Sequence, residues 1–325
     1  MTSKRWQATA LAAAGLLGVP LVVGNPYILH VGIFLLMYVA LSSSLNIVLG
    51  LAGQPSLAHA TFLGVGAYAA ALAALRLHWP YWVNLGFGGV TAALLGLIVG
   101  LPSVRVRGHH LAIVTIGFAQ IVRLIEINWD RLTSGPMGLP GIPTATIASR
   151  PFGRIGFYYL FLLIAGATLF VVNRISRSRI GRALAAVRDD EMAAEALGVD
   201  TRYYKVYAFV ISTFWAGVCG AAYAHYMTFV SPDSFTQADS TTILCMVILG
   251  GSGTLFGPVI GASVLALAPE LLRFASGYRY MLVGLVMVVA VIARQSGFDR
   301  LWKRTAAMLG RLLPFGLRGR LHRNG

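Results

Sequence analysis

Apolar runs of about 20 residues, nearly free of charged side chains, follow one another along most of this 325-residue chain. As a helix, a run of that length crosses the hydrocarbon core of a bilayer. Only 11% of the residues are charged, whereas a soluble domain needs about 25% to cover its surface. The pattern therefore excludes an ordinary soluble enzyme and a disordered chain. It predicts an all-α, polytopic integral membrane protein.

The apolar runs predict about 8–10 transmembrane helices in a single domain over residues 1–325. One stretch, 241–268, is apolar throughout but interrupted by glycines at 250–253 and by Gly257-Pro258. Because glycine and proline interrupt helices, we expect two short helices there, joined at the glycines. The predicted single spans are 8–24, 28–50, 57–77, 82–101, 111–128, 156–172, 206–228 and 280–293.

The basic residues predict the orientation of these spans. Lys and Arg number 26 against 11 acids, a formal net charge of +15. They cluster between apolar runs and form no soluble basic face interleaved with aromatics, which argues against nucleic acid as a partner. With the N-terminus inside, 19 of the 26 fall on the inner side, as the positive-inside rule requires. We therefore expect both termini, the loop 174–205 and the basic tail 294–325 in the cytoplasm, and the loop 129–155 outside.

Catalytic motifs are missing from the sequence. It contains no HExxH, GxSxG or CxxC pattern. A phosphate-binding P-loop needs a lysine after a glycine, and none of the three lysines (Lys4, Lys205 and Lys303) follows one. We expect a chain that is not an enzyme, has no cofactor or metal, and leaves ATP hydrolysis to other chains.

A glycine-rich segment at 49–60 interrupts two apolar runs and places polar side chains among small residues. A second segment, 249–253, resembles residues 49–53. Small residues let helices pack closely, while polar groups beside a broken helix can line a route through the membrane. Both interpretations remain open. The candidate residues for the translocation pathway are Gln54, Ser56, His59, Thr61, Gly250 and Gly253.

The loop 174–205 contains more than a solvated charged connector would need. Arginines come first, and five of the chain's eleven acids then fall between 189 and 200 within a run of Ala, Leu and Met. This composition favours one or two short helices. Gly198 can end such a helix in the left-handed conformation, and Asp200 or Thr201 can cap the next one. We interpret the loop as a docking element.

Three blocks of sequence resemble the membrane subunit of a branched-chain amino-acid ABC importer: 45–60, 179–198 and 249–261. The resemblance implies a permease subunit in the bacterial inner membrane. Its implied partners are a second, similar permease subunit in a heterodimer, two cytoplasmic ATPase subunits and a periplasmic solute-binding protein. The implied cargo is a branched-chain or other hydrophobic amino acid, and urea or short amides are the alternative within the same family.

In such importers, a cytoplasmic motif of the EAAxxxG type docks on the ATPase. Residues 192–198 match it, with Met192 where the pattern often has Glu. The resemblance implies that Ala193 and Ala194 face the ATPase. The complete set of implied ATPase-coupling residues is Arg182, Arg188, Ala193, Ala194, Glu195 and Gly198.

A self-sufficient secondary carrier is the competing interpretation from another class. Carriers of that kind usually need ionisable or unwound ion sites near the middle of the membrane. The ionisable residues near the predicted spans lie toward the span ends, where side chains can reach the interface. The docking loop, together with the missing P-loop, favours the importer subunit.

Overall fold

The computed structural model describes residues 20, 25–103, 109–147, 150–271, 284, 285 and 288. The predicted span 8–24 and the basic tail 294–325 lie outside the described residues, apart from residue 20 in the first. For the predicted span 280–293, only three isolated positions are described. The remaining predicted spans can be compared directly with the structure.

The described chain is built from helices, in agreement with the predicted all-α membrane fold. Each predicted span between 28 and 228 coincides with one helix, and five helices among the described residues are long and apolar enough to cross a membrane. The helices are α1 (Pro26–Asn46), α2 (His59–Arg76), α3 (Tyr81–Ser103), α4 (His109–Asn128), α5 (Asp130–Thr133), α6 (Arg154–Ser176), α7 (Arg179–Asp189), α8 (Glu191–Ala196), α9 (Thr201–Met227), α10 (Gln237–Gly250) and α11 (Gly257–Leu271).

Helix α9 forms the centre of the bundle and packs against α1, α2 and α3. Glycines allow the closest approaches. A methyl group built on Gly217 would overlap the backbone of Gly88, and one built on Gly66 would overlap the backbone of Gly217. Three helices therefore meet at a point where only hydrogen atoms fit, as is common between membrane helices.

The predicted broken pair is confirmed as the hairpin of α10 and α11. Its two helices approach so closely that a methyl group on Gly250 would overlap the backbone of Gly257, and one on Gly261 would overlap the backbone of Met246. The Tyr27 hydroxyl donates a hydrogen bond to Glu270. Because Tyr27 lies at the start of α1 and Glu270 near the end of α11, the hairpin returns to the end of the bundle where α1 begins.

The loop between α4 and α6 supplies three of the four short strands of the described chain, and the fourth follows α9. Strand β1 (Leu139–Pro140) pairs antiparallel with β4 (Phe229–Val230), and β2 (Thr146–Ile147) pairs antiparallel with β3 (Arg150–Pro151). The Ile142 amide also donates to the Thr228 carbonyl at 3.2 Å. These bonds fix the loop to the chain that leaves α9, at the end of the bundle opposite α7 and α8.

Candidate functional site

The two short helices between α6 and α9, here called the coupling loop (residues 177–200), begin at capped positions. Ser178 Oγ accepts a hydrogen bond from the Gly181 amide at 3.3 Å at the start of α7. Asp190 Oδ1 accepts from the amides of Met192 and Ala193 at 3.0 and 3.1 Å at the start of α8. Such caps satisfy backbone amides that have no partner within the helix. The sequence predicts one or two short helices here, and the structure has two.

Helix α8 ends as the sequence predicts. Gly198 has φ +82°, its amide donates to the Glu195 carbonyl at 2.9 Å, and the Val199 amide donates to the Ala194 carbonyl at 3.0 Å. This is the Schellman arrangement, in which glycine takes the left-handed position at least cost. Asp200 then caps α9 by accepting from the Tyr203 amide at 3.1 Å.

An ion pair that the sequence interpretation missed fastens α8 to the base of α9. Lys205 Nζ lies 2.5 Å from Glu191 Oε1, and the Lys205 residue is only 3% exposed. A second bond runs from Thr201 Oγ1 to Glu195 Oε1 at 2.6 Å. The Glu195 carboxylate therefore accepts a hydrogen bond from the first turn of α9. The available signal was Lys205 itself, a lysine at the start of an apolar span.

The implied orientation of the two alanines is half wrong. Ala193 is exposed, whereas Ala194 is buried against the protein, with 2% of its surface accessible. Successive residues of a helix are turned about 100° from one another, and in α8 this turn brings Ala194 onto the side that packs against the protein. Met192 and Leu197, 66% and 84% exposed, accompany Ala193 on the exposed side, and Arg182 is exposed on α7.

Arg188, at the end of α7, points toward the membrane helices. Its Nη1 donates to the Gly50 carbonyl at 3.0 Å, while Nε and Nη2 bond to Asp189 Oδ1 at 3.0 and 2.9 Å. Gly50 lies in a π-helical turn, Ile47–Leu51, that continues α1. Turns of this kind are frequent at functional positions in helices.

Asn46 joins the two glycine segments that the sequence singled out. Its Oδ1 accepts from the Gly253 amide at 2.8 Å, and its Nδ2 donates to the Thr254 carbonyl at 2.9 Å. The residues that meet here, Asn46, Gly50, Gly53, Arg188 and Gly253, are called the glycine junction below. Sequence reasoning did not assign a role to Asn46, although a buried amide in an apolar run is itself a signal.

The glycines of the junction are there because nothing larger fits. A methyl group on Gly50 would overlap the Asn46 side chain and the Gly253 backbone. Gly53 has φ +70°, and a methyl group there would lie 2.6 Å from Arg188 Cγ. Gly253 has φ +80° and lies against Arg188 Nη1. Both the left-handed backbone and the lack of space therefore select glycine.

The four polar pathway candidates are all buried at the start of α2 or just before it. The side-chain amide of Gln54 and the hydroxyl of Ser56 have no hydrogen-bond partner in the described part of the chain. His59 Nε2 lies 2.8 Å from Ser44 Oγ, and Ser212 Oγ donates to the Ser44 carbonyl at 2.7 Å. The structure thus brings Gly253, but not Gly250, into the glycine junction beside these residues.

Two cavities adjoin these elements. One, of about 220 Å³, lies between the turn at 52–55 and the coupling loop, and Gln54 and Lys205 line it. The other, of about 500 Å³, lies between α1, α10 and α11; its walls are mostly apolar and aromatic, with Asp239 and Glu270 at polar positions. No group of three His, Cys, Asp or Glu side chains suited to a metal occurs among residues 25–103, 109–147 and 150–271.

Comparison with known proteins decides the family. Residues 27–291 match the family model described as "Branched-chain amino acid transport system / permease component". The chain belongs to this permease family.

Individual relatives agree with this assignment. The permease is 36% identical over 286 residues to the high-affinity branched-chain amino acid transport system permease protein LivM of Escherichia coli (strain K12), covering 81% of this chain and 67% of that protein. It is 25% identical over 312 residues to the probable branched-chain amino acid transport permease protein LivM of Methanocaldococcus jannaschii, covering 80% and 90%.

A more distant similarity reaches a permease with another cargo in its name. The autoinducer 2 import system permease protein LsrC of Yersinia pseudotuberculosis is 24% identical over 228 residues, covering 65% of this permease and 63% of that protein. No solved structure matches the chain. The permease is thus a multi-pass membrane subunit of an ABC importer, a class that works with ATPase and solute-binding subunits.

Proposed function

We propose that this permease carries branched-chain or other hydrophobic amino acids across a bacterial inner membrane. Energy comes from ATP hydrolysis on two separate cytoplasmic ATPase subunits, so the permease itself is not an enzyme. A periplasmic binding protein delivers the solute. A second, similar permease subunit completes the membrane domain as a heterodimer.

The exposed face of α8 is the observation that carries the coupling part of this proposal. Met192, Ala193 and Leu197 turn apolar surface outward at an end of the bundle. The buried Lys205–Glu191 ion pair and the Schellman turn at Gly198 hold this face in place from behind. A small, rigid apolar face beside charged residues suits docking on a partner protein. We assign the docking surface to Arg182, Met192, Ala193 and Leu197.

The orientation follows from the charge distribution. Seven Lys and Arg residues lie between 174 and 205, which supports a cytoplasmic coupling loop with the loop 129–155 on the other side of the membrane. Cysteines introduced at the exposed Ser134 and Met192, in a variant whose Cys219 and Cys245 are replaced, should react with a membrane-impermeant reagent from opposite sides. Reaction of both from the same side would contradict the topology.

The glycine junction and the buried polar groups before α2 support a translocation route through this part of the bundle. Backbone and side-chain polar groups can lie at membrane depth only where protein or water satisfies them. The unpartnered Gln54 amide and Ser56 hydroxyl are available to a passing polar solute. Gln54, Ser56, His59, Thr61 and the junction glycine Gly253 are the residues that we propose for the route.

The amino-acid cargo rests on the names of the two LivM relatives. The test is uptake of labelled leucine into vesicles that contain the complete complex, with its own binding protein supplied outside. We expect saturable, ATP-dependent uptake that unlabelled isoleucine and valine inhibit. If urea or a short amide competes and the branched-chain amino acids do not, the cargo assignment is wrong while the importer assignment stands.

A further inference from the structure

Arg188 occupies a position in the coupling loop where the family resemblance implies an ATPase-coupling residue, yet its guanidinium is engaged from within the permease. Nη1 bonds to Gly50, the side-chain stem packs on Gly53, and Asp189 holds the other two nitrogens. The guanidinium, on a side chain that is 40% exposed, therefore bridges the last turn of α7 and the first glycine segment.

The Gly50 carbonyl is a suitable anchor for a cation. It lies in the turn that ends α1, where carbonyl groups point away from the helix and carry partial negative charge. A guanidinium bound there forms a charge-assisted hydrogen bond, which is stronger than one between neutral groups. A movement of α7 thus acts on the end of α1 through a directional bond.

Asn46 continues the connection to the second glycine segment. It is 1% exposed and bonds to both Gly253 and Thr254. Four residues before Gly50 on the same helix, it lies one turn away from the carbonyl that Arg188 binds. One path of bonds therefore runs from α7 through the end of α1 to the turn between α10 and α11.

We propose that Arg188 and Asn46 form a mechanical linkage that makes both glycine segments follow the coupling loop. Arg188 is then a positioning residue that acts inside the permease and is not a contact to the ATPase. The inference rests on the proposed function, because it needs an ATPase that moves the coupling loop. It adds the element through which that movement reaches the membrane route.

The test is the amount of solute imported per ATP hydrolysed by the complete complex in vesicles. Arg188→Gln should lower this ratio by about 10-fold, which corresponds to the loss of one charge-assisted hydrogen bond from the moving assembly. Asn46→Ala removes two neutral hydrogen bonds and should lower the ratio by a similar factor. The double variant should be no worse than either single variant, because both interrupt one path. Arg188→Lys keeps a donor for Gly50 and should recover part of the ratio.

The control is Arg179→Gln, which removes the same charge from an exposed position at the start of the same helix and should leave the ratio at the wild-type value. Co-purification of the ATPase with each variant is measured in parallel and should equal that of the wild type. If Arg188→Gln releases the ATPase, or if the effects of the two single variants multiply, the linkage is wrong.

Two further results are distinguishable from these. A wild-type complex that imports no amino acid with its binding protein contradicts the proposed function rather than the linkage. If Asn46→Ala fails to accumulate in the membrane, the Arg188 variants test the linkage alone. The solute imported per ATP should then be higher for Arg188→Lys than for Arg188→Gln, at equal co-purification of the ATPase. Equal ratios for those two variants and the wild type would overturn the proposal.

Discussion

The two glycine segments share the pattern Leu-Gly-x-x-Gly at residues 49–53 and 249–253, but the chain leaves them in different ways. After the first, residues 52–58 run without helix to α2. After the second, the chain reverses within six residues into α11, which packs closely on α10. The same local pattern therefore ends in an open connection at one site and a tight hairpin at the other.

The cause lies in the residues that follow each pattern. Gly257 and Gly261 leave room for α11 to pack on α10. Pro55 follows the first segment instead; it has no amide hydrogen to donate and disfavours helix in the preceding residue. The side chains of Gln54 and Ser56, on either side of this proline, have no hydrogen-bond partner in the described part of the chain. Close packing explains Gly250, whereas Gln54 and Ser56 are the residues that we propose for a polar route.

The largest effect on stability should come from removing the ion pair between Lys205 and Glu191, which holds α8 against the start of α9. Lys205→Met removes the cation that faces the Glu191 carboxylate, whose side chain is 16% exposed, and removing one member of a buried ion pair costs up to about 3–5 kcal/mol. We expect a lower unfolding temperature and faster trypsin cleavage after Arg188. Adding Glu191→Gln should recover most of the stability, and a double variant as unstable as Lys205→Met would contradict the ion pair's role.

Gly250→Ala should be nearly as harmful, because the new methyl group overlaps the backbone of Gly257. Overpacking of this kind costs about 1–3 kcal/mol or more when only backbone can move away. Thermal unfolding in detergent measures it, with Gly86→Ala as the control, since that methyl group meets nothing within 4 Å. Equal stability of the two variants would mean that the hairpin is not tightly packed.

Gly53→Ala and Gly198→Ala separate strain from contact. Both residues have positive φ, +70° and +82°, so each alanine costs about 1 kcal/mol of backbone strain. A methyl group at Gly53 also collides with Arg188, whereas at Gly198 it meets nothing within 4 Å. We therefore expect Gly53→Ala alone to lower transport per ATP. The comparison fails if the two variants transport alike.

Ser56→Ala should have the smallest effect on stability, within about 0.5 kcal/mol, because no partner loses a hydrogen bond. Leucine uptake should nevertheless fall if the hydroxyl touches the solute. Gly64→Leu serves as the contrasting packing variant, since even a methyl group there lies 2.8 Å from the Phe235 ring. Unchanged uptake in Ser56→Ala with loss of Gly64→Leu protein would favour packing for the whole segment.

The spans between 28 and 228, the broken pair and the turn at Gly198 were predictable because hydropathy and helix caps are local properties of the sequence. The hydrogen bonds that Arg188 and Asn46 make to the glycine segments were not predictable. Asn46 and Gly253 lie 207 residues apart, and nothing in either neighbourhood specifies the other. Ala194 was misassigned because a sequence motif names residues that matter without stating which face of the helix each one occupies.

The ion pair of Lys205 and Glu191 has a further consequence for association rates. A loop that is already ordered loses little conformational entropy when a partner binds, so less of the binding free energy is spent on ordering. Binding of the ATPase then does not require the loop to reach a rarely populated conformation first. A docking surface that is already ordered can rebind its partner quickly, which suits a transporter that repeats the same contact in every transport cycle.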